Sequence, residues 1–396
     1  MDEALERTIA AIHRSPCQCV IAAAGTGSQA LAWLIRVAGA SHTLLEARLP
    51  YAKASLRDLL GHRAAHCVSA ETATAMARWS LSRALELREG DVPVLGVGCT
   101  GALSTTRPRR GMHGVELAIL SPGEGPEQEH QAHYTLRLEK GARTRGEEED
   151  ACSLLLIHAL ALACGVIPGF TLPLLPGDEM HHEGDLSPLT DLLQGRARHI
   201  LVSQDGRALA DAAVTGGVLP GSFNPLHEGH RRLAEVAAEL LQAPVTFELS
   251  VENVDKRALT EGEALRRAQQ FWGWAPVALT RAPTFREKTR LFPGCTFIVG
   301  YDTAVRIVAE RYYASAADMQ EALREIRDAG CRFLVAGRAH AGAFHTLADV
   351  PVPEEFRSLF QEVPPELFRL DISSTELRAR QQSGAGAILE RPLPGA

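Results

Sequence analysis

TGGVLPGSFNPLHEGHRRLAEVAAELL, residues 215–241, decides the reading of the C-terminal half. TGGVLP is a short apolar strand, GSFNPL a tight loop, and HEGHRRLAEVAAELL a helix with apolar positions at helical spacing. A strand feeding a glycine-containing loop and then a helix leaves unpaired backbone N–H groups at the helix start. His227 and His230, three apart in the first turn, leave one face there. An anion at that point gains the helix field and two imidazoles. Gly221 and Ser222 keep the loop slim enough for backbone N–H groups to approach a phosphate. Gly229 keeps a side chain out of the same space, a reason to accept a poor helix former. Two histidines at this spacing on a bare helix would read as surface residues; the strand and loop before them favour a phosphate grip.

Further along, TFIVGYDTAVRIV at 296–308 is a buried strand running into a turn and helix. It carries Gly300, Tyr301 and Asp302 to the carboxyl edge of a sheet, where open α/β folds bind ligands. Asp302 suits a second substrate or a ribose hydroxyl, with a helix cap as the alternative. In ISSTELR at 372–378, Ser373 and Glu376 fit a capping box, and Arg378 then falls in the first turns. A cation is disfavoured there unless an anion shares the helix end, so Arg378 is assigned to clamp the β- and γ-phosphates. Lys288, in RAPTFREKTR, is a candidate to meet a substrate phosphate from a loop, and a solvated face explains it equally well. Trp272, Trp274 and Phe285 can stack on a flat ring or lie in a core.

The N-terminal half reads as a second α/β unit. CVIAAA at 19–24 is a buried strand, Gly25-Thr26-Gly27 a turn and Ser28 to Val37 a helix. Ser69 opens another helix through Leu87, residues 93–98 are strand-like, and 114–120 with 133–140 form an antiparallel pair. Residues 151–164 are long and apolar, yet His158 interrupts them, Gly165, Pro168 and Gly169 end them, and an acidic run at 147–150 precedes them. A buried helix of a soluble domain is expected, not a membrane span. Residues 166–213, rich in Pro, Gly, Asp and His, read as a connector, with 180–183 (Met-His-His-Glu) a surface loop in preference to a metal site. Residues 199–206 suit a hairpin strand of either neighbour. The expected architecture is two three-layer α/β domains, 1–165 and 214–396, the second Rossmann-like with a parallel sheet.

Composition narrows the functions. The 396 residues suffice for two cores, and 45% hydrophobic with 22% charged residues is a globular balance. A formal charge of −7 argues against a surface gripping long nucleic acid but not against a small anionic ligand. The eight cysteines are scattered without a CxxC pair, and the acidic helical N-terminus lacks a leader pattern; a reduced cytoplasmic protein is expected.

GSFNPLHEGH resembles the signature of the nucleotidylyltransferase superfamily, and its Phe223-Asn224-Pro225 makes it most similar to the nicotinamide or nicotinate mononucleotide adenylyltransferases. ISSTELR is similar to the family's ISSTxxR through Ser373, Ser374, Thr375 and Arg378, and TFIVGYD to its strand ending in G-x-D. The resemblance covers roughly 215–380. It implies that Gly221, Ser222, Phe223, Asn224, His227, Gly229 and His230 hold a triphosphate, and that ATP, with Mg²⁺ delivered on it, adenylylates a pyridine mononucleotide with release of pyrophosphate. Through the resemblance alone, Lys256, after the strand FELSVENVDK, is a candidate to meet a substrate phosphate. A cytidylyltransferase, a phosphopantetheine or sugar-phosphate adenylyltransferase, and a non-catalytic nucleotide sensor are the alternatives.

Most of residues 15–160 resembles the C-terminal domain of the CinA family, whose active members deamidate nicotinamide mononucleotide. The likeness lies in AAAGTGSQALAWLI, HCVSAETATAMA, GVGCTGAL and HGVELAI. Where that family has a serine before Cys-Thr-Gly-Gly, this chain has Ala24 before Gly25-Thr26-Gly27-Ser28, and the family's lysine falls on Leu56. Amide hydrolysis requires a nucleophile with an activating partner, so the resemblance implies a degenerate site that keeps, at most, ligand binding or a homo-oligomer contact.

Overall fold

The computed structural model describes residues 1–106, 111–123, 128–252, 257–340 and 343–369. Its elements run α1 (Glu3–Arg14), β1 (Gln18–Ala24), α2 (Ser28–Arg36), α3 (Ala40–Thr43), β2 (Leu44–Arg48), α4 (Lys53–Leu60), α5 (Ala70–Leu87), β3 (Val94–Ala102), β4 (His113–Pro122), β5 (Glu129–Leu138), α6 (Arg145–Ala163), β6 (Glu179–Gly184), α7 (Pro188–Leu193), β7 (His199–Val202) and β8 (Ala208–Ala210). They continue through β9 (Gly217–Pro220), α8 (Glu228–Leu241), β10 (Val245–Ser250), α9 (Glu261–Gln269), β11 (Val277–Thr280), α10 (Phe285–Leu291), β12 (Thr296–Gly300), α11 (Tyr301–Ile307), α12 (Ala316–Asp328), β13 (Arg332–Ala336), β14 (Arg338–His340), β15 (Ala343–His345) and β16 (Phe360–Glu362). The chain divides into two compact units, residues 1–211 with 261–275, and residues 212–260 with 276–396.

In the first unit six strands lie in the order β2-β1-β3-β4-β5-β6. The three on one side are parallel, and β4, β5 and β6 continue antiparallel. Both faces are covered. Ile9, Ile12, Leu34, Leu155 and Leu156 from helices pack with Val97, Leu117 and Ile119 on one face, while Ala73, Ala77 and Leu81 of α5 meet Val20, Val94 and Leu120 on the other. The α5 helix comes this close because β3 carries Gly96 and Gly98; a Cβ on Gly98 would overlap the Ala73 carbonyl.

Three local expectations change. The acidic run at 147–150 does not precede the buried helix but forms part of α6, which Thr144 and Glu147 start with a reciprocal capping box. Carboxylates are favoured at that end of a helix. Residues 180–183 are not a loop: they lie in edge strand β6, where His182 pairs with Tyr134 and stacks on its ring at 4.3 Å. The expected connector as a whole is structured, with α7 and the β7–β8 hairpin inside the first unit. Among the described residues, no helix is long and apolar enough to cross a membrane.

Among the described residues of the second unit, six strands of one sheet run in the order β16-β13-β12-β9-β10-β11, all parallel, and β14 and β15 form a separate hairpin. Phe247, Phe297, Phe333 and Val335 are wholly or almost wholly buried in the sheet, as strands covered on both faces require. The chain lays β10 and β11 to one side of β9, then crosses back to place β12 on its other side. That reversal opens a crevice between β9 and β12 at the carboxyl edge, the place where doubly wound sheets bind ligands. Mixed α/β architecture with a Rossmann-like second domain is therefore what the molecule has.

Candidate active site

The crevice is built from GSFNP. β9 buries Val218 and Leu219 and delivers Gly221, whose N–H donates to the Glu248 carbonyl at 2.9 Å. Phe223, at φ +43°, folds back beneath the loop and is 1% exposed, with its edge toward Phe247 at 5.4 Å and toward His230 at 5.1 Å. A Cβ on Gly221 would come within 2.6 Å of the Phe223 ring. The phenylalanine thus acts as the floor of the loop rather than as a ligand contact, and it explains why residue 221 is glycine.

His227 is the N-cap of α8 and His230 lies in its first turn. Their rings stack at 3.7 Å and 25°. His230 Nδ1 accepts the backbone N–H of His227 at 3.3 Å. In a neutral ring an accepting Nδ1 places the proton on Nε2, so His230 presents an N–H donor on its other side. Burial, and secondarily the neighbouring His227, pushes the His230 pKa down to about 3, and burial also lowers that of His227. Both rings are neutral donors at physiological pH, suited to share hydrogen bonds with a phosphate without adding full charge. Gly229 is buried in the same turn, and Ser222 and Asn224 stand in the loop.

The pH consequence is specific. The neutral His230 donor is expected to be lost only as pH approaches 3, and the lowered His227 is expected to cause no loss of activity as pH rises through 6.5. A decline in kcat/KM centred near 6.5 as pH rises would mean that imidazolium is the working form. Stability has a matching sign: His230 binds fewer protons folded than unfolded, so it contributes stability that is complete above 6.5 and is lost as pH falls from there toward 3.

Beside this loop, Gly300 caps α11 and Asp302 sits in its first turn. Asp302 forms an ion pair with Arg338 of β14, a partner 36 residues on that sequence reasoning did not single out. Lys288 requires correction. It lies in α10, not on a loop, and its Nζ is buried 2.6 Å from Glu248 Oε1 and 2.7 Å from the Ala282 carbonyl. Its charge is committed inside the unit and is not available to a substrate. Two of the aromatic candidates, Trp272 and Phe285, are half-buried and engaged within their own units. Trp272 donates to the Ile167 carbonyl at 3.1 Å and lies under Arg7, while Phe285 packs edge-on to Phe297 and Phe333. Lys256, Ser373, Ser374, Thr375 and Arg378 lie outside the described residues.

In the first unit, Ala24 and Leu56 come together in one buried apolar cluster with Ala22 and Met76. A methyl and an isobutyl group occupy the places where the resemblance expects a nucleophile and an amine. Thr26 and Ser28 line a cavity of about 350 Å³ with Tyr51 and Arg145. Their hydroxyls donate to Glu149, at 2.6 Å and 2.9 Å, as does the Gln29 N–H at 3.1 Å. Burial would raise the Glu149 pKa, but these bonds outweigh it and hold the carboxyl below its ordinary value. Gly27, between those hydroxyls, is the N-cap of α2.

With this geometry in view, the comparisons place the second unit. Residues 218–380 match the cytidylyltransferase-like family, and this part of the chain is a cytidylyltransferase-like domain of the nucleotidyltransferase superfamily. The matched span begins in β9 and runs through the GSFNPLHEGH and ISSTELR elements. The N-terminal part is similar to solved CinA proteins. Competence/damage inducible protein CihA from Agrobacterium tumefaciens is 23% identical, over 40% of this chain and 97% of that one, with a TM-score of 0.32. A CinA superfamily protein from Klebsiella pneumoniae is 16% identical over 40% and 95%, with a TM-score of 0.30. One from Escherichia coli is 17% identical over 39% and 81%, with a TM-score of 0.27. No curated protein matches the chain.

Proposed function

We propose that the second unit transfers the adenylyl group of ATP to a pyridine mononucleotide and releases pyrophosphate. The observation that carries this reading is the His227–His230 stack, with His230 Nδ1 occupied by a backbone N–H and Nε2 left as a donor beside the glycine loop at the switch point of the sheet. Neutral donors, backbone N–H groups and the start of α8 suit a triphosphate arriving with its Mg²⁺. A phosphate oxygen of the acceptor attacks the α-phosphorus, the bond to the bridging oxygen breaks, and pyrophosphate leaves on the side of the histidines; the role of clamping its phosphates stays proposed for Arg378 from the sequence alone. Alignment and stabilisation of charge on the transferring group supply the rate, without a covalent enzyme intermediate. The pyridine acceptor is supported by the likeness of GSFNPLHEGH to that branch of the superfamily. In the first unit, the buried Ala24–Leu56 contact supports a site without amide hydrolysis.

The test is a matrix of ATP and CTP against nicotinamide mononucleotide, nicotinate mononucleotide, phosphopantetheine and simple sugar phosphates. Pyrophosphate, product mass and ammonia are read for each pair. ATP with a pyridine mononucleotide is expected to turn over and ammonia to stay at background. Robust turnover of CTP, the donor that the matched family's description names, with the pyridine nucleotides inert would overturn the substrate pair and leave the phosphate site intact.

A further inference from the structure

Asp302, in the first turn of α11, and Arg338, at the start of β14, follow the neighbouring strands β12 and β13 at the carboxyl edge of the sheet. Gly300 at the end of β12 pairs with Ala336 at the end of β13, so each of the two residues lies two positions beyond one rung. β12 is also the parallel neighbour of β9, which delivers the glycine loop. With strands about 4.8 Å apart, β13 lies roughly 10 Å from β9, a span that a triphosphate and an acceptor phosphate together cover.

This ion pair differs in kind from the Lys288–Glu248 pair of the same unit. Lys288 and Glu248 are 6% and 1% exposed in their side chains, whereas Arg338 and Asp302 are 43% and 44% exposed. A pair so open to water holds weakly and exchanges readily. The hairpin carrying Arg338 has anchors of its own. Arg338 pairs with His345 across the β14–β15 ladder, and the His345 ring stacks on Tyr301 at 5.0 Å and 18°. Gly337 lies against Phe344, where a Cβ would come within 2.7 Å of the ring. The guanidinium can therefore change partner while its backbone stays in place.

We infer that Arg338 takes the phosphomonoester of the acceptor, and that Asp302 holds its guanidinium in position until that phosphate replaces the carboxylate. A phosphate dianion offers the planar guanidinium two parallel hydrogen bonds and a second negative charge, so it competes well against one exposed carboxylate. Asp302, once released, accepts from the ribose hydroxyls of the nucleotide. Each substrate then favours the arrangement that the other requires, a reciprocal coupling between the two sites. The inference rests on the nucleotidyl-transfer reading and adds to it the residue that receives the acceptor phosphate and the carboxylate that positions it.

The experiment uses the full chain, the active substrate pair from the matrix, and calorimetric binding of ribose 5-phosphate against ribose. Arg338→Ala is expected to raise the acceptor KM by about tenfold or more, leave the nucleotide KM within about twofold, and abolish the preference for ribose 5-phosphate, the scale set by a lost charged hydrogen-bonding partner. Asp302→Asn is expected to move the constants oppositely, lowering the acceptor KM and raising the nucleotide KM. Arg338→Lys should recover part of the loss. Parallel shifts of both constants in the two variants, or an unchanged acceptor KM in Arg338→Ala, overturn the inference. A wild-type chain that releases no pyrophosphate overturns the nucleotidyl-transfer reading, and the binding arm still decides the arginine: equal binding of ribose and ribose 5-phosphate overturns its role.

Discussion

Replacing His230 with alanine is expected to lower kcat/KM by about 10²-fold or more, roughly 2.7 kcal/mol of transition-state stabilisation. One ring serves several functions at once. Its Nδ1 accepts the His227 N–H, its face stacks on the His227 ring, and the Phe223 edge supports it from below. Its Nε2 proton is the donor left for the phosphate that becomes the leaving group. Alanine removes that donor and also frees the His227 ring, so the loss includes orientation as well as one hydrogen bond. The check is steady-state kinetics on the active substrate pair, with the melting temperature measured alongside. A His230→Ala protein with native melting and unchanged turnover would sink the assignment.

Replacing Lys288 with methionine is expected to cost stability, about 3–5 kcal/mol, because Glu248 stays buried without its cation. The carboxylate is 1% exposed in its side chain, and Thr280 Oγ1 at 2.6 Å would be its one remaining donor among the side-chain contacts described. For a domain of this size the loss corresponds to roughly 6–20 °C in the melting transition. Calorimetry on the full chain should show the shift in the transition of the second unit. A double change, Lys288→Met with Glu248→Met, should recover much of it, since removing both charges of a buried pair costs far less than removing one. A single variant that melts like the wild type but binds the acceptor more weakly would return Lys288 to the substrate and refute the structural role given to it here.

The local geometry of the candidate site was legible in the chain because its parts are close in sequence. Strand, loop and histidines occupy residues 217–230, and an i, i+3 pair at a helix start meets by local geometry alone. Most of the core elements of both units were legible for the same reason, through apolar periodicity and caps such as Ser69 and its bond to the Thr72 N–H. The acidic start of α6 was misread because a run of glutamates looks like solvent-facing chain until the Thr144–Glu147 box is recognised. Strand β6 was missed because an edge strand facing water needs no apolar alternation to be stable against its neighbour.

Long-range partners were another matter. Lys288 reads as a charge near a pocket until β10 is placed beside its helix and supplies Glu248, 40 residues away. Trp272 reads as a flat surface for a ring until its indole N–H is found on the Ile167 carbonyl, 105 residues away. Asp302 reads as a ligand contact or a helix cap until folding brings Arg338 of β14 to it. Ala24 and Leu56 are two unrelated apolar residues until folding puts them in one cluster.

What the sequence by itself determined is therefore the class of chemistry: a strand, a glycine loop and two histidines on one helical turn, which short-range geometry assembles whatever surrounds them. Only the tertiary structure decided which other charges serve that chemistry. Strand order puts the loop at the crevice between β9 and β12, and burial separates a lysine sealed against a carboxylate from an arginine open to exchange. The physical reason is that the Coulomb term between side chains depends on distance and on access of water, and for residues far apart in the chain neither quantity exists before the sheet has formed.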